Sequence, residues 1–134
     1  VLASPPSWLR KPLMAFRFEK LEVWQLAIEF SDDIYKATRS FPADERFGLT
    51  NQLRRAAVSI AANIAEGSGR FSDRDFVRFI EIAYGSLMET VSHMKIAQRQ
   101  SFLADESATL LYATADRLAR MLSGLRKSRA GGAQ

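Results

Sequence analysis

The segment from Phe47 to Arg70, FGLTNQLRRAAVSIAANIAEGSGR, constrains the fold more than any other stretch. At about 100° per residue, Leu49, Leu53, Ala57, Ile60 and Ile64 fall on one stripe, which predicts a core-facing helix. A second face carries the short apolar residues Val58, Ala61, Ala62 and Ala65, which let another backbone come close. The remaining strip is polar, with Gln52, Arg55, Ser59, Asn63 and Glu66. Gly67 is expected to stop the helix by adopting a left-handed conformation. Two packing faces and one narrow wet strip suit the central helix of a bundle, or a helix at a subunit interface.

Three further helices follow from the same periodicity. From Glu19 to about Arg39, the residues Leu21, Trp24, Ala27, Ile28, Ile34 and Tyr35 share a predicted core face, and Phe41-Pro42 ends the helix because a residue before proline is pushed out of the helical region. Ser72 is placed to cap a third helix running to about Gln100, with the stripe Phe76, Ile80, Ala83, Leu87, Val91 and Met94. Gly85 falls inside that helix, where a close backbone contact is the usual compensation. Asp105 is expected to cap the fourth helix, whose Leu111, Ala115, Leu118, Leu122 and Leu125 repeat at spacings of four and three. Nothing alternates with period two for long enough to make a sheet. The pattern therefore predicts an all-α protein, an up-down-up-down antiparallel four-helix bundle over residues 16–127. The proline-containing residues 1–15 are expected to be an extended or disordered lead-in, and residues 128–134 a flexible tail.

The 134 residues include no cysteine, which removes disulfides, thiol catalysis and thiolate metal sites. No apolar run approaches the roughly 18 residues of a membrane-spanning helix. The positive charges near the start follow the apolar residues, the wrong order for a secretory signal, so a cytoplasmic protein without membrane association is expected. The net charge of +4 is unevenly placed: residues 46–78 hold six basic and three acidic side chains, and residues 95–134 hold seven and three. That excess permits a polyanionic partner.

Catalytic and metal-binding readings find little support. His93 has neither the partner a general base needs nor the two or three further ligands a metal needs, and reads as a surface or interface histidine. Glu89 with His93 has i,i+4 spacing and occurs once, unlike the repeated Glu-x-x-His pairs of bundle metal sites. The acidic neighbours Asp32-Asp33 and Asp44-Glu45 point in different directions on a helix. Gly67-Ser68-Gly69-Arg70 lacks the lysine and spacing of a phosphate loop and reads first as a cap and turn. No catalytic residue, metal or cofactor is assigned. Arg54 lies toward the small-residue face, where a subunit contact or ion pair must hold its charge, and Arg55 lies on the polar strip.

FEKLEVWQLAIEFSDDIY, FPADERFGLTNQLRRAAVSIAANIAEGSGR and DFVRFIEIAYGSLMET together resemble the bacterial four-helix bundle proteins encoded in intervening sequences of 23S ribosomal RNA genes, a family that includes accessory variability proteins of diversity-generating retroelements. The resemblance covers roughly residues 16 to 125. Its matching motif positions are Arg54, Arg55, Asn63, Glu66, Gly67 and Arg70. Ala61 stands where the family often has proline, which implies a more regular central helix. Val91 stands where an acidic residue is common. The resemblance implies a non-enzymatic protein that assembles into a homo-oligomeric ring, a pentamer, and that in the retroelement branch binds nucleic acid and a reverse transcriptase through basic surface.

Two surfaces follow as expectations. Nucleic acid, RNA or DNA, is expected at Arg70, Arg74 and Arg78 around the second loop, or at Arg117, Arg120, Arg126 and Lys127 on the last helix. A subunit interface is expected at Arg54, Val58, Ala61, Ala62 and Ala65, joined by Ile82 and Met88 from the third helix, with Ile96 likewise off that helix's core stripe. The competing reading is a protein-interaction scaffold, for example an adaptor for a reverse transcriptase, whose basic residues are solvated or paired.

Overall fold

The computed structural model describes residues 3–10 and 14–131. Pro12 of the expected lead-in and residues 132–134 of the expected tail lie outside them. Four helices account for most of the chain: α1 (Glu22–Thr38), α2 (Leu49–Ser68), α3 (Asp73–Arg99) and α4 (Asp105–Gly131). Short 3-10 turns at Ser7–Arg10, Arg17–Lys20 and Ala43–Glu45 complete the described structure, which has no strand. Each helix packs on its two neighbours, α1 on α2 and α4, and α3 on α2 and α4, while the diagonal pairs make no close backbone approach. This is the antiparallel bundle that the periodicity predicts.

All five residues of the α2 stripe are buried, as are Phe76, Ile80, Ala83, Leu87 and Met94 of α3 and Leu111, Ala115, Leu118 and Leu122 of α4. Val91 and Leu125 pack against this core half-buried. Thr90 is fully buried beside it and satisfies its hydroxyl by donating to the Ser86 carbonyl at 2.8 Å.

The face of α1 differs from the predicted one. Val23, Ala27, Phe30 and Ile34 enter the core, with Phe30 fully buried, whereas Ile28 and Tyr35 are 36% and 40% exposed. Trp24 stays half-buried, in edge contact with Phe18 of the preceding turn at 4.9 Å between ring centroids. Tyr35 leaves the core because its ring lies beneath the Arg54 guanidinium, 4.6 Å from it.

The helix ends also correct three expectations. Gly67 does not terminate α2 in a left-handed conformation: no described glycine has positive φ, and α2 continues through it to Ser68. Gly67 is buried, and a Cβ there would sit 2.6 Å from the Phe79 Cβ and 2.9 Å from the Phe76 ring. The close backbone contact expected at Gly85 is thus found at Gly67, while a Cβ at Gly85 would meet nothing within 4 Å. Asp105 is the first residue of α4 rather than its cap, since the Ala104 carbonyl accepts from the Ala108 amide (2.9 Å) and the Asp105 carboxylate accepts from Gln98 Nε2 (2.9 Å). Ser72 does cap α3, accepting from the Asp75 amide at 3.1 Å. Glu45 turns out to serve α2, its Oε2 accepting from the Leu49 amide at 3.0 Å, where a carboxylate also meets the positive end of the helix dipole.

Candidate nucleic-acid interface

α2 and α3 run antiparallel from a loop of four residues, Gly69 to Ser72. The Gly69 amide donates to the Glu66 carbonyl and the Arg70 amide to that of Gly67, both at 3.1 Å, so the loop leaves α2 in a fixed turn before Ser72 opens α3. α4 returns to this same end of the bundle: Arg126 Nε donates to Glu81 Oε2 of α3 at 2.7 Å, and Arg129 lies 3.8 Å from Asp73. The turn before α1 arrives here too, because the Arg17 and Arg129 guanidiniums lie 5.8 and 5.3 Å from the centroid of the Phe76 ring.

One end of the molecule therefore collects Arg70, Arg74, Arg78, Arg126 and Lys127 from the expected set, together with Arg17 and Arg129. Their surroundings differ. Arg70 is paired with Glu66 at 3.2 Å and lies 4.7 Å from the Phe79 ring. Arg126 is held by Glu81. Arg74, Arg78 and Lys127 are exposed, and none has an ion-pair partner among the described residues. Arg74 and Arg78 are one turn apart on the outer side of α3. Arg120 and Lys127 share a shallow groove with Tyr84, Ala119 and Ser123, with Arg120 bonded to Asp116 at 3.0 Å. Arg117 is exposed nearer the middle of α4. The basic residues of α4 are divided between two sides, Arg126 turning to α3 while Arg117, Arg120 and Lys127 face outward.

Besides Arg17, two residues at this end were not singled out from the sequence. Arg129 lay in a stretch read as a fraying tail, yet α4 carries it to the Phe76 ring. Phe71, in the α2–α3 loop, is fully exposed at 108% of its reference area. The signal that finds it is position: an aromatic residue between the end of one helix and the cap of the next has no helical face to join.

The expected interface residues separate as well. Val58 and Ala62 are exposed and Ala65 half-buried on the outer side of α2, and Ile82 and Ile96 are each 47% exposed on α3. A polar seam runs between these strips, closed by the Ser59–Ser86 hydroxyl contact at 2.9 Å and flanked by Arg55, Glu89 and His93. Ala61 belongs to the subunit's own core at 5% exposure. Met88, six residues from Ile82, points about 120° away from it, on the other shoulder of α3. Arg54 finds its partners within the chain, where Nε donates to Thr38 Oγ1 at 2.8 Å and Nη2 to the Tyr35 carbonyl at 3.5 Å. His93 is half-buried in a shallow cleft with Asn51, Gln52, Arg55 and Glu89. Among the described residues no group of three or more histidines or carboxylates is arranged to hold a metal, and no helix is long and apolar enough to cross a membrane.

A family model described as 23S rRNA-intervening sequence protein matches residues 19–124, which takes in nearly all of the bundle. The chain belongs to this family. A crystal structure of a protein with unknown function from the S23 ribosomal protein family of Bacteroides thetaiotaomicron VPI-5482 has the same fold, with a TM-score of 0.71 and 24% identity over 78% of this chain and 98% of that one. No curated protein matches the chain. Membership in the 23S rRNA-intervening sequence family accounts for the sequence motifs that run from α1 through α3.

Proposed function

We propose that this member of the family is a non-catalytic, cytoplasmic, homo-oligomeric bundle that binds nucleic acid, structured RNA in the first instance, through the basic end formed by the α2–α3 loop and the C-terminal part of α4. The observation that carries the reading is the exposure of Arg74, Arg78 and Lys127, with no ion-pair partner among the described residues, beside Arg70 at that end. Unpaired exposed cations at a fixed spacing are suited to phosphates, and binding through phosphates releases counterions and falls steeply with salt. The family name points to the same class of partner. A copy number of five is carried over from the family resemblance, with the strips around Val58, Ala62, Ile82 and Ile96 as the contact surface.

The test is a fluorescence-anisotropy titration with a structured RNA at two salt concentrations. Arg74→Glu combined with Arg78→Glu is expected to weaken binding and to reduce the slope of log affinity against log salt by about 2, with unchanged helicity. Binding no tighter than that of an unrelated protein of equal charge would leave the second reading, a scaffold for protein partners such as a reverse transcriptase. The pairing of Arg70, Arg120 and Arg126 with Glu66, Asp116 and Glu81 favours that alternative, because it spends part of the positive charge within the subunit.

A further inference from the structure

We infer that Phe71 is a stacking platform for an unpaired nucleobase, so that the basic end selects single-stranded or looped segments over continuous duplex. The inference rests on the nucleic-acid reading above and narrows its ligand class. An aromatic ring left wholly in water forgoes the burial that normally stabilises a large apolar side chain in a fold. At Phe71 the ring stands at 108% exposure on a loop whose backbone is tied at both ends, by the Gly69 and Arg70 amides on one side and the Ser72 cap on the other. The backbone that carries the ring is therefore held in a fixed turn, with the ring itself in solvent.

Its neighbours decide what it is presented to. Arg70 folds back onto Phe79 and Glu66, Ser72 is exposed, and Arg74 and Arg78 extend from the first two turns of α3. A protein-binding aromatic is usually the centre of an apolar patch with a polar rim. Here the chain neighbours are glycine, serine and arginine, with Asp73 turned toward Arg129 and Asp75 in the first turn of α3, so the π-face stands close to exposed cations of the kind that single-stranded nucleic-acid sites use. Bases inside a duplex are already stacked on both faces, so such a ring reaches only bases in loops, bulges, ends or single strands.

The experiment compares a single-stranded RNA decamer, a hairpin presenting the same bases in its loop, and a blunt duplex of equal length, each titrated against the full chain and its Phe71→Ala and Phe71→Tyr variants. Phe71→Ala is expected to weaken binding of the decamer and the hairpin about tenfold while duplex affinity stays within about twofold, and Phe71→Tyr is expected to bind as the unmodified protein does. The salt slope should stay the same, because no phosphate contact is removed. Circular dichroism checks that the variants fold. Equal losses on all three probes, or no loss on any, would overturn the stacking role while leaving nucleic-acid binding intact. A change in oligomeric mass without a change in RNA affinity would assign the ring to a contact between copies and also overturn it. No binding of any probe by the unmodified chain would end both readings.

Discussion

At the residue scale, two glycines of neighbouring helices make opposite predictions. Gly67 is packed so closely under α3 that an added methyl would overlap the Phe79 Cβ, a position fixed by backbone and unable to swing aside. Overpacking of this kind costs about 1–3 kcal/mol, more than the gain in helix propensity returns. Gly67→Ala should therefore lower the urea midpoint. Gly85 faces open space from inside α3, so Gly85→Ala should raise stability by about 0.5–1 kcal/mol in the same measurement. An unchanged midpoint in the Gly67 variant would mean that α2 and α3 can separate at this level without penalty. Nothing in the sequence ranks these two glycines; the difference lies wholly in what the facing helix brings opposite.

At the element scale, α1 is joined to α2 by a polar clasp. The Thr38 hydroxyl, 3% exposed as a residue, donates to the Ile34 carbonyl at 2.8 Å and accepts from Arg54 at 2.8 Å. The last turn of α1 thereby gains a cation near its negative end. Arg54→Ala is expected to cost about 1–2 kcal/mol, since it removes a charged donor and the stacking on Tyr35. Thr38→Val should be non-additive with it in a double-mutant cycle of unfolding free energies. Simple additivity would show that the two side chains act separately. This clasp also explains how far the sequence could be read. The stripe of α2 is long, regular and bordered by a clear polar strip, so its buried face is legible from spacing alone. On α1 apolar residues occur around most of the circumference. Which of Phe30 or Tyr35 enters the core depends on Arg54, 16 residues from Thr38 in the chain and absent from any local pattern. The basic end was legible in the same partial way: charge counts locate the segments, but whether an arginine is spent on a carboxylate depends on the facing helix.

At the scale of the whole molecule, the exposed strips on either side of the α2–α3 seam are the surface on which a homo-oligomer is predicted. Ala62→Glu, on the outer side of α2, should yield a helical 15.0 kDa species by light scattering, whereas the unmodified chain at micromolar concentration should give a mass near five times larger. Arg54→Ala should leave that mass unaltered, because its contacts are internal. A 15.0 kDa mass for the unmodified chain would end the assembly proposal. The convergence of Arg17 and Arg129 on the Phe76 ring has a different consequence. It brings the two ends of the described bundle to one side chain, so the order in which the helices are strung is separable from the way they pack. A circular permutant that links residue 131 to residue 15 by a short glycine-serine linker, and opens between the exposed Ala43 and Asp44, cuts the short 3-10 turn there but leaves the four α-helices whole and Glu45 on the same side as Leu49. Such a chain should refold cooperatively to the same helicity, read by circular dichroism during urea dilution.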